Sequence, residues 1–199
     1  MDRQVAAVDA GLTAFDPRGA VLELAGGTGW WTQRLARVAR HLTVVDAAPE
    51  TLALNRDRVR RSDVDYVVAD LFDWSPGRTF DVVFFSFWLS HVPRSRFGEF
   101  WSLVRSCLTS AGRVFLIDNR ADPAPQPGVK DPYVVDYLRD LHVRQLDDGS
   151  QYRIVKVMYE PEELESLIDT EGWRTHLDAT RWFIFGSTQP HGTTTKPSK

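Results

Sequence analysis

The strongest constraint on the fold is a rhythm: short apolar runs, each ending in glycine or a carboxylate and each followed by helical spacing. Ala20-Val21-Leu22-Glu23-Leu24 runs into Ala25-Gly26-Gly27-Thr28-Gly29, and an apolar periodicity of helical type then extends from Trp30 to Val38. This reads as strand, glycine turn and helix. Leu42 to Asp46 repeats the arrangement, with Pro49 placed to open a helix that runs to Arg61. Asp65 to Asp70 is a third strand and Phe80 to Phe85 a fourth. An amphipathic helix from Arg96 to Leu108 and a turn at Ala111-Gly112 lead into a fifth, Arg113 to Asp118. The fourth run is apolar almost throughout, the pattern of a strand covered on both faces, and is expected at the sheet centre. Strands alternating with helices imply a parallel sheet with right-handed crossovers.

The rhythm breaks between Arg120 and Pro132, where prolines at 123, 125, 127 and 132 force a loop. Val143 to Leu146 and Tyr152 to Met158 then flank Asp147-Asp148-Gly149-Ser150, a hairpin signal. The segment 120–158 is read as an insertion over the ligand edge of the sheet. Pro161 to Thr170 is a helix that Gly172 ends, and Arg174–Ala179 pairs with Trp182–Thr188 as a last hairpin. One domain over 1–188 is expected, with a polar, disordered tail over 189–199.

Composition narrows the partners. Lys and Arg number 24 against 27 Asp and Glu, so no basic excess exists to hold a nucleic acid. Cys107 is the single cysteine, which excludes an internal disulfide and fits a reducing compartment. The start carries no basic-then-apolar leader, and no apolar run approaches the roughly 18 residues of a membrane span. A soluble, cytoplasmic protein with no membrane partner is expected. Seven Trp and eleven Phe are many for 199 residues. Trp101 and Trp173 are assigned to the core, while Trp30, Trp31 and Trp88 are candidates for a pocket wall.

In an open parallel sheet, ligands bind beyond the carboxyl ends of the strands. Residues of unusual type stand at those ends in register: the glycine turn, Asp46, Asp70, Ser86 to His91, and Asp118-Asn119. A dinucleotide fingerprint would need a third glycine where Thr32 stands, behind bulky Trp30 and Trp31, so a pyrophosphate and with it a nicotinamide-linked oxidoreductase are disfavoured. Asp46, 17 residues after Gly29, suits two ribose hydroxyls. Asp70 suits the exocyclic amine of an adenine on which Leu71 and Phe72 pack. The ligand implied is an adenosine without a diphosphate.

Glu23-Leu24-Ala25-Gly26-Gly27-Thr28-Gly29, Val45-Asp46, Ala69-Asp70-Leu71 and the fourth-strand run resemble the successive motifs of class I S-adenosylmethionine-dependent methyltransferases over nearly the whole chain. The resemblance implies an α/β fold, a Rossmann-like doubly wound seven-stranded sheet with the last strand antiparallel. It also implies S-adenosyl-L-methionine as cofactor and S-adenosyl-L-homocysteine as product. The cofactor would lie on Ala25, Gly26 and Gly27 after strand one, on Asp46 and Ala47 after strand two, on Asp70 and Leu71 after strand three, and on Phe87 after strand four.

Asp70-Leu71-Phe72-Asp73-Trp74, Phe84-Phe85 with Trp88-Leu89-Ser90-His91-Val92-Pro93, and Arg153-Ile154-Val155-Lys156-Val157 are similar, more narrowly, to the phosphonate O-methyltransferases of dehydrophos biosynthesis. That similarity implies His91, Arg144 and Lys156 facing a small acidic acceptor. The chemistry is consistent: an Arg fork and a Lys neutralise a phosphonate or carboxylate, whose oxygen is already nucleophilic. A hydroxyl or amine acceptor would instead make His91 the general base. Asp118-Asn119 resembles part of a metal site, but Ser86-Phe87-Trp88 offers no acidic ligand after strand four, and no metal is expected. Small-molecule members carry an N-terminal helical lid, often with Tyr and Asp, whereas no Tyr precedes Ala20 here. Either the start is truncated or the 120–158 insertion does the covering, and a non-catalytic module that binds cofactor without a lid is a further alternative. The oligomeric state stays open.

Overall fold

The computed structural model describes residues 2–120, 134–136, 141–145 and 148–191. Helix α1 (Asp2–Phe15) leads into β1 (Ala20–Leu24), α2 (Thr32–Leu35), β2 (His41–Asp46), α3 (Pro49–Val59) and β3 (Val64–Val68). Next come β4 (Phe80–Ser86), two single 3-10 turns over Leu89–His91 and Arg94–Arg96, α4 (Phe97–Ser106) and β5 (Leu108–Asn119). The short strands β6 (Val134–Asp136), β7 (Leu141–Gln145) and β8 (Gln151–Val155) precede α5 (Pro161–Thr170), β9 (Trp173–Ala179) and β10 (Phe183–Pro190).

Seven strands form one sheet in the order β3-β2-β1-β4-β5-β10-β9, parallel from β3 to β5, with β10 antiparallel to both neighbours. The chain runs outward from β1 to β3 and then returns to place β4 on the other side of β1. The connections leaving their carboxyl ends therefore turn to opposite faces of the sheet at the β1/β4 junction, the place where such sheets open a crevice. In β4, Val83, Phe84 and Phe85 are wholly buried, as the unbroken apolar run requires.

Alternation along the strands builds two core layers. Val21, Val44, Phe84 and Phe115 face α1, α2 and α3, while Leu22, Leu24, Phe85 and Leu116 face α4 and α5. The aromatic excess resolves mainly here. Trp101 meets Trp173 edge-on at 5.0 Å, and Trp31 is buried against Phe84 rather than in a pocket wall. Helix α1 lays Val8, Leu12 and Phe15 onto the sheet face, and its first turn reaches the edge near Trp182, whose N–H donates to the Gln4 side chain.

Several boundaries differ from the sequence reading. The helix expected from Trp30 to Val38 is regular only over Thr32–Leu35. Trp31 at its N-cap has no side-chain acceptor. At the other end the Ala36 carbonyl is taken by the Arg61 guanidinium, while the Arg40 N–H goes to Gly19 instead. Strand β5 begins before the Ala111-Gly112 turn, because Leu108 already pairs with Phe80 and residues 109–112 bulge outward before pairing resumes at Arg113. The tail is expected from Gln189, but Gln189 and Pro190 pair with Arg174 and Trp173, and the His191 N–H donates to the Gly172 carbonyl. Residues 192–199 lie outside the described residues.

The insertion closes on itself at a neck. Arg120 bridges Tyr159 and its guanidinium donates twice to Glu160 at 2.9 and 2.8 Å. Beyond the neck, β6, β7 and β8 form a separate antiparallel sheet, with Gly149 at φ +84 in the turn between β7 and β8. The proline-rich segment at 121–133 lies outside the described residues.

Candidate functional site

Three backbone positions mark the β1/β4 crevice. Ala25, one residue past β1, and Phe87, one past β4, both hold left-handed conformations at φ +51 and +54, which are uncommon for non-glycine residues. Gly27 is left-handed too, and a Cβ placed on it would meet nothing within 4 Å. The turn thus presents bare backbone to open space, where an adenosine ligand can approach closely.

Asp46 joins this turn to β2. Its Oδ2 accepts the Gly27 N–H at 2.9 Å, and its Oδ1 accepts the Ala48 N–H at 2.9 Å and the Thr51 hydroxyl at 3.3 Å. A carboxylate offers about four acceptor directions, so these contacts fix its orientation and leave capacity for a hydroxyl. Asp70 follows the strand next door, tied in by the Ala69 N–H on the Asp46 carbonyl, and it is exposed while accepting the Phe72 N–H. Leu71 differs from its expected place on a ligand ring: at 3% exposure its side chain belongs to the core. Phe72 remains half-buried and faces Trp88 at 6.3 Å. The residues proposed for the cofactor therefore converge from the ends of β1 to β4, with Ala47 exposed between Asp46 and α3.

A second knot forms where the insertion returns to the sheet. His91 sits on the 3-10 turn after β4, and its Nδ1 lies 2.8 Å from the Val155 carbonyl. A carbonyl only accepts, so Nδ1 carries a proton in this contact. The Val157 N–H donates to the Ser90 carbonyl at 2.7 Å, and Lys156 Nζ donates to the Ser90 hydroxyl at 2.6 Å. Behind them Asp118, 1% exposed, accepts the Ser90 and Asn119 N–H groups, with Lys156 Nζ 3.9 Å away. His91 and Lys156 are thus brought together around Ser90, but Lys156 differs from its expected place facing an acceptor: at 8% exposure its ammonium lies against Ser90 and near Asp118. Arg144 occupies β7 opposite Tyr152, and its side chain lies outside the described residues. Among the described residues no cluster of three or more His, Cys, Asp or Glu side chains is placed to hold a metal ion.

Two groups escaped the sequence reading. Glu23, within β1, is 1% exposed, and burial pushes its carboxyl up to about 8, an effect that Asp46 reinforces and a Thr32 hydrogen bond opposes. Asn55, inside α3, is fully buried beneath the glycine turn. A carboxylate in an otherwise apolar strand was the available signal for Glu23. Asn55 lies amid a polar helix and gave none.

Comparison with known proteins agrees with this geometry. A family profile described as a methyltransferase domain matches residues 21–112. The structure of DhpI bound to SAH superposes with a TM-score of 0.83 at 36% identity, covering 96% of this chain and 85% of that one. A DhpI complex with SAM and HEP agrees equally well. The glycopeptide N-methyltransferase MtfA, at 16% identity and a TM-score of 0.68 over 95% of this chain and 87% of that one, shares the fold. Among curated proteins, nodulation protein S of Sinorhizobium fredii is 33% identical over 63 residues, 31% of this chain and 29% of that protein's length. With the crevice, the left-handed turn residues and a 36% identical relative spanning most of its length, the chain belongs to the class I S-adenosylmethionine-dependent methyltransferases.

Proposed function

We propose that the protein transfers a methyl group from S-adenosylmethionine to an oxygen of a small acidic molecule, a phosphonate or a carboxylate. The observation that carries this reading is the knot joining β8 to the turn after β4, in which His91 Nδ1 meets the Val155 carbonyl and Lys156 Nζ the Ser90 hydroxyl. The resemblance to phosphonate O-methyltransferases, and the likeness to DhpI held with SAM and HEP, support an acceptor of this kind.

The cofactor, when bound, supplies a methyl group on a sulfonium whose sulfur leaves as a neutral thioether. In this reading the glycine turn and Asp46 would hold the nucleoside and Asp70 would meet the base. Arg144 would hold the acceptor anion by charge-assisted hydrogen bonds and His91 would orient it, while Lys156, buried on the Ser90 hydroxyl and near Asp118, would lend positive charge from behind. An anionic acceptor oxygen would bring its own electron pair to the methyl group that the cofactor would supply. Placement is then the main demand and no strong base is needed.

The experiment compares two replacements at saturating cofactor. Arg144→Ala should raise the acceptor KM by about 10–100-fold, the range for losing a hydrogen bond to a charged group. His91→Ala should lower kcat by less than about tenfold, below the usual range for loss of a general base. The reverse pattern would move the reading to a hydroxyl or amine acceptor with His91 as base, which the placement of the proton on Nδ1 would suit.

A further inference from the structure

We propose that Asn55, one layer behind the crevice and out of reach of any ligand in it, is a positioning residue for the cofactor turn. The inference rests on the reading that the cofactor lies on that turn. Asn55 is fully buried in α3 and its Nδ2 donates to the carbonyls of Gly26 and Gly27 at 3.2 and 3.1 Å and to the Thr32 hydroxyl at 2.8 Å. Carbonyls only accept, so the amide orientation is fixed. The Tyr66 hydroxyl on β3 donates to its Oδ1 at 3.2 Å, and Thr32 passes the chain on to buried Glu23. Side chains from β3, α3, α2 and β1 thus form one hydrogen-bonded line under the turn.

Gly27 is the point this line controls. Asp46 holds its N–H at 2.9 Å from the front, and Asn55 holds its carbonyl from behind. The peptide on either side of the left-handed Gly27 is therefore set before a ligand arrives. Sterics sharpen the fit: a Cβ on left-handed Gly29 would come within 2.7 Å of the Asn55 amide. The same contact that demands glycine there keeps Asn55 beneath the turn. An isolated turn of this kind would sample several conformations and lose affinity in proportion to the time spent outside the binding one.

The test measures S-adenosylhomocysteine affinity by calorimetry and steady-state kinetics on the whole chain for Asn55→Asp, Tyr66→Phe and Asp46→Ala. Asn55→Asp, which cannot donate to either carbonyl, is expected to raise the Kd and the cofactor KM by about tenfold or more. Its kcat at saturating cofactor and its acceptor KM should change by less than about threefold, a split that general loss of folding would not produce. Tyr66→Phe removes only the hydroxyl that orients Asn55, and is expected to move the same two quantities in the same direction by about two- to fivefold. Should Asn55→Asp fail to fold, Tyr66→Phe decides alone. If Asp46→Ala weakens binding but neither other variant does, the role of Asn55 is overturned while the cofactor site stands. If Asp46→Ala leaves affinity unchanged, the site reading and this inference fall together.

Discussion

Glu23 is buried in β1 with its Oε2 making no hydrogen bond, so its protonation state bears directly on stability. Its carboxyl titrates near 8 in the folded protein against an ordinary 4.5. Between those values the unfolded chain releases the proton and the folded chain keeps it, so folding is penalised as pH rises through that window, by up to about 1.4 kcal/mol per pH unit. Below 4.5 both states hold the proton, and above about 8 both have lost it, so the penalty is absent at the low end and complete at the high end. Glu23→Gln should therefore melt higher than the parent at pH 8, with a gap that closes toward pH 4.5. A gap that stays constant across the range would contradict this account of Glu23. Sequence spacing exposed Asp46 and Asp70 because they stand at strand ends beside a glycine turn. It could not expose the Glu23-Thr32-Asn55 line, since a hydrogen bond between positions 23 apart in the chain follows only from the packing of α3 under the turn.

At the scale of elements, the insertion is held where it leaves and rejoins the sheet. The buried Lys156–Asp118 pair belongs to that attachment. Lys156→Met should destabilise by about 3–5 kcal/mol, because it strands a buried carboxylate, and adding Asp118→Asn should recover much of the loss. Urea unfolding of the three proteins checks this, and an additive double variant would contradict it. The Arg120–Glu160 pair is partly exposed, and Glu160→Gln should cost no more than about 1 kcal/mol. Hydrogen exchange of the β8 amides should nonetheless quicken in that variant, since the neck anchors them. The hairpin itself was legible from Asp148-Gly149, and α3 from Pro49. The brevity of α2 was not, because it depends on Arg61 taking the Ala36 carbonyl from across a different helix.

For the whole molecule, the sheet order brings the β1/β4 crevice and the β8 return to the same edge. No described helix is long and apolar enough to cross a membrane. The unbroken apolar β4 run made the sheet centre readable in advance, and the register of strand ends made the cofactor edge readable. The knot at Ser90 was less so, since it depends on how an insertion folds back over the sheet. The most direct measurement is transfer of labelled methyl from S-adenosylmethionine across a matched panel of small phosphonates, carboxylates, phenols and amines. The account predicts label in ester products of the phosphonates or carboxylates, with kcat/KM for the best of them at least about tenfold above any phenol or amine. Label confined to phenols or amines, or binding of S-adenosylhomocysteine with no transfer to any of the four classes, would contradict it.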